Sequence, residues 1–272
     1  MTAHVPRPGL VATDLDGTLL RSDGTVSELT RRVLHAVERA GVPVVMVTAR
    51  PLRWMDDLWP LVGSHGLAIV SNGAIVFDVA ARTVRRLDGI DPAAGLELVA
   101  AIRDAVLGAQ LAIECADGIR LEATYDETDH VPAGSPVGPL EEVWTVPAVK
   151  LLVRQPALDS GALRRAVVEA VDDRAIATWS VPGLVEISAP GVTKAAALER
   201  LANELGVAAA DVVAFGDMPN DLAMLGWAGT SFAVANADPS VLRAADHRAP
   251  SNDDDGVARV LARLVGIDLD LL

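Results

Sequence analysis

Cysteine is nearly absent from this chain, and so are most aromatics: its 272 residues include one Cys, one Tyr and three Phe. Cys115 alone cannot close an intrachain disulfide, and the opening residues, MTAHVPRPG, have neither the basic nor the apolar stretch of a secretion signal. The expected location is the cytoplasm. Long apolar runs are missing as well. The longest, such as VPVVMV, end after about six residues where a membrane-spanning helix needs roughly 20, so no membrane-embedded segment is expected. Positive charge is scarce, with 23 Lys and Arg against 37 Asp and Glu, a net charge of −14. Such a surface repels nucleic-acid backbones and anionic lipids, which argues against both as partners. Any anionic ligand has to meet a local concentration of positive charge.

What the chain does contain suffices for a large core. Hydrophobic residues, largely Ala, Val and Leu, make up 51% and charged residues 22%, a globular composition, and the length exceeds that of a usual single domain. Two domains, or one with a large insertion, are expected. Apolar runs of buried-strand type at LVAT (10–13), VPVVMVT (42–48) and LAIVS (67–71) alternate with helical spacing. The helix SELTRRVLHAVERAG (27–41) has Ser27 as its N-cap and Gly41 as its stop, and a second helix is expected over 51–62, opened by Pro51. LAIVS and AIVFD (74–78) bracket Asn72-Gly73, a hairpin signal. The alternation returns in a helix at 193–206, a strand at 211–217, a helix at 221–229 and a strand at 230–237. Together these blocks predict an α/β fold, a doubly wound, Rossmann-like parallel-sheet core over 1–83 and 184–272. The stretch between, 84–183, reads as an α+β insertion, with helices at 92–107 and 161–172, strands near 111–116, 119–124, 149–155 and 175–180, and a Pro- and Gly-rich loop at 126–140.

Chemistry concentrates at strand ends. VATDLDGTLL (11–20) places Asp14 and Asp16 at the carboxyl end of the first strand, where open α/β sheets build their sites, with Gly17 and Thr18 turning the chain. Two carboxylates so close repel, so either a cation lies between them or one stays protonated. TAR (48–50) brings the Thr48 hydroxyl and backbone amides to the same edge, suited to a phosphate oxygen. GVTK (191–194) puts Lys194 at a helix start, and GDMPND (216–221) puts Asp217, Asn220 and Asp221 at the end of the next strand. Each piece alone is bland; the set gathers acids, a hydroxyl and a cation on one edge.

In this order DLDGT (14–18), TAR (48–50), Lys194 and GDMPND (216–221) resemble the motifs of the haloacid dehalogenase-like hydrolases over nearly the whole chain. The insertion is similar to the type IIB cap of Cof-like sugar-phosphate phosphatases, as are SNGA (71–74) and DGVA (255–258). The resemblance implies a phosphatase of small phosphorylated metabolites. Asp14 would be the nucleophile that forms an aspartyl phosphate, and Asp16 the acid and base at the leaving oxygen. Mg²⁺ would bind the Asp14 carboxylate, Asp16 through its backbone carbonyl, and Asp217, with Asp221 orienting Lys194 or the metal's waters. Thr48 and Lys194 would hold the transferring phosphoryl group, with Ala49, Arg50, Asn72 and Asn220 completing the substrate pocket. Relatives often have Gly at the positions of Ala49 and Ala195, so these methyl groups crowd the phosphate pocket slightly.

A phosphomutase of the phosphomannomutase type is the alternative, and it would need cap cations such as Arg120, Lys150 or Arg154; a non-catalytic phosphate-metabolite binder is another. Oligomeric state, monomer or homodimer, is left open. The five histidines show no metal-ligand spacing, although His130 lies in the insertion's loop. Trp54, Met55 and Trp59 are expected to pack rather than line a substrate wall, Arg50 and Arg53 to reach substrate or solvent, Asp253 to Asp255 to form a solvated loop and helix cap, and Cys115 to be a small buried residue.

Overall fold

A computed structural model describes residues 6–63, 66–126, 131–179 and 181–271. His130 lies outside the described residues. In chain order the main elements begin with β1 (Leu10–Thr13), α1 (Glu28–Arg39), β2 (Val44–Val47), β3 (Leu67–Val70), β4 (Ile75–Asp78) and β5 (Thr83–Leu87). The inserted part follows with α2 (Pro92–Ala105), β6 (Gln110–Cys115), β7 (Gly118–Leu121), α3 (Leu140–Val143), β8 (Ala148–Arg154), α4 (Ser160–Val171), β9 (Ile176–Thr178) and β10 (Leu184–Ser188). The chain then returns through α5 (Lys194–Glu204), β11 (Val212–Gly216), α6 (Leu222–Trp227), β12 (Thr230–Val234), α7 (Pro239–Ala244), β13 (His247–Ala249) and α8 (Gly256–Val265).

The larger sheet runs β13-β12-β11-β1-β2-β3-β4-β5, parallel from β13 to β3 and closed on one side by the antiparallel β4 and β5. Its central strands are apolar on both faces because helices cover both, and all four residues of β1 and of β2 are buried. Helix α1 packs on α8, and α5 on α6. The expected cap holds: the Ser27 hydroxyl accepts from the Thr30 amide at the start of α1. The second sheet, β7-β6-β8-β10-β9, is antiparallel and carries α2 and α4 on one face. Leu111, Ile113, Leu151, Val153, Val185 and Ile187 point into that helix layer, so the alternate residues of the same strands face the other way. No helix of the described residues is long and apolar enough to cross a membrane.

Sheet membership departs from the expected boundaries at both ends of the insertion. Strand β5 pairs with β4 in the large sheet, whereas β10 pairs with β8 and β9 in the small one. The exposed, polar alternation of TVRRL hides an edge strand, and LVEIS reads like any buried strand, so neither announces its sheet. The expected helix at 51–62 is instead two 3₁₀ segments, Leu52–Trp54 and Asp56–Leu61. Pro60 lacks the N–H that an α-turn would send to Asp56. Trp59 stacks on Phe77 at 5.0 Å and Met55 is fully buried, as packing residues. The acidic run does more than cap: Asp255 takes a forked pair from Arg21 and a hydrogen bond from Thr30, while Asp253 accepts from Ser22.

Candidate active site

The strand order sets β1 between β11 and β2, so the residues following these three strands meet at one edge. The ladder continues to Asp14, whose amide donates to Phe215 at 3.1 Å, and the chain then makes a wide turn closed by the Leu20 amide on the Leu15 carbonyl. Gly17 is required there. Its φ is +79°, and a Cβ would lie 2.4 Å from the Asp217 Oδ2 atom. Thr18, next to it, donates its hydroxyl to Asp217 Oδ1 at 2.8 Å and fixes that carboxylate. Across the edge the hairpin turn lets α5 approach, since a Cβ on Gly73 would strike the Thr193 carbonyl at 2.4 Å. Thr193 caps α5 through the Ala196 amide, which delivers Lys194 to the site at the first helical position.

Lys194 is buried and donates to Asp14 Oδ1 at 2.6 Å and Asp221 Oδ1 at 2.7 Å. Asp221 Oδ2 in turn accepts from the amides of Asp217 and Met218 at 3.1 Å each. Asp14, Asp217 and Asp221 are all buried and each offers an oxygen within 4.8 Å of the others. Burial, with the Asp221 and Asp217 charges, pushes the Asp14 carboxyl well above its ordinary range even though Lys194 opposes the shift. Burial and Asp221 push Asp217 up to about 6. Burial works against the Lys194 charge, but Asp14 and Asp221 outweigh it and raise its pKa. Three carboxylates share one ammonium, so the set is short of positive charge and made of hard oxygen donors. Those are the terms on which a divalent cation such as Mg²⁺ fits.

Asp16 departs from this cluster. Its half-exposed carboxylate accepts a forked pair from Arg50, at 2.8 and 2.6 Å. Thr48 is fully buried, and its hydroxyl accepts from the Arg50 amide at 3.0 Å. Asn220 donates to Asn72 at 3.3 Å, and Asn72 donates to Thr178 of β9 at 3.4 Å, so a polar chain runs from this edge to the insertion.

A cavity of about 780 Å³ opens beside Asp14, Asp16, Ala49, Arg50 and Asn220. Its opposite wall is the face of the small sheet turned away from α2 and α4, with Glu114, Lys150, Leu152, Arg154, Leu184 and Glu186. Arg53 and Trp54 line it too, against the expectation of simple packing for Trp54. Arg53 crosses to the insertion and grips Glu114 with two bonds, at 2.9 and 3.1 Å. Of the three cap cations considered for a second phosphate, Arg120 is forked onto Asp117 and is not among the lining residues, Arg154 lies against the Tyr125 ring, and Lys150 pairs with Glu186. Sequence reasoning passed over Thr18 as a partner of Asp217 and passed over Glu114 and Glu186 altogether. The alternation of β6 and β10 carries the signal for those two glutamates, because each is a buried charge amid apolar neighbours.

The sequence profile of the haloacid dehalogenase-like hydrolases matches residues 11–261. The chain is 30% identical over 271 residues to the candidate phosphatase YxeH of Bacillus subtilis, covering 94% of this chain and 98% of that protein. It is 28% identical over 264 residues to the 5-amino-6-(5-phospho-D-ribitylamino)uracil phosphatase YitU of the same organism, covering 94% and 97%. Among solved structures, the subclass IIB sugar phosphatase BT4131 superposes with a TM-score of 0.77 at 21% identity over 95% of this chain and 99% of that one, a likeness of fold.

Proposed function

The chain belongs to the haloacid dehalogenase-like hydrolases, and from that premise we propose that it is a phosphatase of small phosphorylated metabolites. The observation that carries this reading is the buried set of Asp14, Lys194, Asp217 and Asp221, of which Asp14 opens onto the cavity. Relatives named for a ribitylaminouracil phosphate and for phosphoglycolate support a modest-sized phosphate monoester as substrate. Asp14 and Asp217, with the Asp16 carbonyl, would hold Mg²⁺, which supplies charge neutralisation for the incoming phosphoryl oxygens.

Asp14, at the end of β1, is the nucleophile. One of its carboxylate oxygens attacks phosphorus as the ester oxygen leaves, and the resulting aspartyl phosphate is then hydrolysed, which divides one slow reaction into two. Lys194 holds Asp14 in place and places a fixed positive charge where the transition state spreads negative charge over the phosphoryl oxygens. Asp221 keeps Lys194 aimed and anchors the turn that carries Asp217. Asp16 delivers a proton to the leaving oxygen and later takes one from water. In the observed arrangement both of its oxygens accept from Arg50, so Arg50 has to release it as substrate enters. Thr48 and the amides of its loop receive the remaining phosphoryl oxygens.

The test is phosphate release from a panel of sugar, nucleotide and cofactor monophosphates, with Mg²⁺ or with EDTA. Asp14→Asn should lower turnover by on the order of 10³-fold or more with an unchanged circular-dichroism spectrum, and chelation should abolish activity until Mg²⁺ is returned. Hydrolysis that survives Asp14→Asn overturns the assignment.

A further inference from the structure

Lys150 and Lys194 are the only lysines among the 272 residues. Both are 2% exposed, yet the mechanism uses only Lys194. Lys150 stands on β8, on the face of the small sheet that walls the cavity, directly opposite Glu114 of β6 in the ladder. Its ammonium pairs with Glu186 and donates to the Ala49 carbonyl at 2.7 Å. Ala49 is the middle residue of the loop that carries Thr48 and Arg50.

The carbonyls of that loop are shared between two bodies. Thr48 O accepts from the Asn72 amide at 3.0 Å, and Arg50 O accepts from the Ser71 amide at 2.9 Å, both within the core. Ala49 O accepts instead from Lys150, 101 residues away on the insertion. A hydrogen bond from a buried ammonium is roughly twice as strong as one between neutral groups, and it exists only while the small sheet is seated on the core. The Glu186 carboxylate meanwhile balances the Lys150 charge, so this ammonium does not compete with Lys194 for a phosphoryl group.

We infer that Lys150 is a positioning residue that couples seating of the inserted domain to the geometry of the phosphate-binding loop. With the small sheet in place, the Ala49 carbonyl is pinned, and Thr48 beside it is set for phosphate. With the sheet lifted, the loop loses that restraint and the phosphoryl site loosens. The inference rests on the phosphatase reading for its kinetic consequence and on the geometry alone for its structural one.

The experiment compares wild type, Lys150→Met and Lys150→Arg by three readouts: kcat/KM across the ester panel including p-nitrophenyl phosphate, inhibition by vanadate, and hydrogen exchange at the Arg50 and Asn72 amides. Lys150→Met should lower kcat/KM for every ester, small or large, by roughly 10- to 100-fold, as expected when reacting groups are displaced by a fraction of an ångström to an ångström. Vanadate inhibition should weaken in parallel, exchange at the two amides should quicken, and Lys150→Arg should recover most of each effect. Losses confined to particular esters, with vanadate inhibition unchanged, would overturn the proposal and make Lys150 a substrate contact. Should Lys150→Met fail to fold, Lys150→Gln carries the same comparison. If the wild type releases no phosphate, the phosphatase reading fails separately and exchange decides the tether, because unchanged protection in the Met or Gln variant refutes it.

Discussion

The large sheet offers its polar groups at an edge, and the small sheet offers them on a face. In the parallel sheet the central strands are buried on both faces, so a charged side chain there finds room only after the last strand residue, as Asp14 does after β1 and Asp217 after β11. In the antiparallel sheet one face is given to α2 and α4, and the other carries Glu114, Lys150 and Glu186 toward the cavity beside a small apolar cluster around Tyr125. The edge groups are locked into one network through Lys194 and Asp221. The face groups are locked in separate pairs, two of which reach across to the core, Arg53 with Glu114 and Lys150 with the Ala49 carbonyl. An edge built this way suits one reaction held constant, and a face suits contacts that vary with the ligand.

The sharpest way to break that contrast is at the turn that makes the edge. Gly17→Ala puts a methyl group 2.4 Å from the Asp217 carboxylate in a backbone conformation that disfavours it. We expect activity to fall by about 100-fold and the Mg²⁺ concentration needed for half-maximal rate to rise, whereas Gly226→Ala, in a helix at ordinary backbone angles with nothing within 4 Å of the added carbon, leaves both nearly unchanged.

The face should respond differently. Glu114→Leu alone leaves the part-buried Arg53 guanidinium without its carboxylate, and thermal or urea unfolding should show a loss of about 3 kcal/mol. The double variant Arg53→Met, Glu114→Leu should regain most of that stability while altering the ranking of esters more than the maximal rate. A loss in the double variant as large as in the single would show that the pair acts as part of the catalytic edge.

A smaller effect separates the two regions by pH. Burial and Asp221 raise Asp217 to about 6 in the native state against an unfolded value near 3.8, so the native metal-free protein binds protons more readily than the unfolded chain between those values. Its stability should therefore rise as pH falls from about 6 toward 4 through this group, by about 4–8 °C in melting temperature. Saturating Mg²⁺ should flatten the trend, since a bound cation keeps the carboxylate charged. Melting curves across that range with EDTA or Mg²⁺ read the difference.

The edge was legible from sequence because each of its parts is contiguous. A strand of four apolar residues followed at once by Asp14, or by Asp217, needs no knowledge of distant partners, and Ser27 or Thr193 mark helix starts within four residues. The face was not legible for the opposite reason. Glu114, Lys150 and Glu186 sit on three strands far apart in the chain, and only the register, with Glu114 against Lys150 and Leu152 against Glu186, makes them neighbours. The same dependence on pairing hid the sheet membership of β5 and β10. Asp16 shows a further limit: its position two residues after Asp14 was plain, but its forked contact with Arg50 depends on where the next strand's loop lies.

The burial of both lysines has a consequence for reagents as well as for chemistry. A chain with 23 basic residues shows its solvent-facing cationic character almost wholly as guanidinium, and amine-selective acylating or cross-linking agents meet no lysine ammonium on the folded surface. Lys194 is sealed within the core's own network, while Lys150 lies at the seam between the two bodies. Slow acylation of Lys150 in the native state is then a clock for separation of the two bodies, built into the composition of the chain.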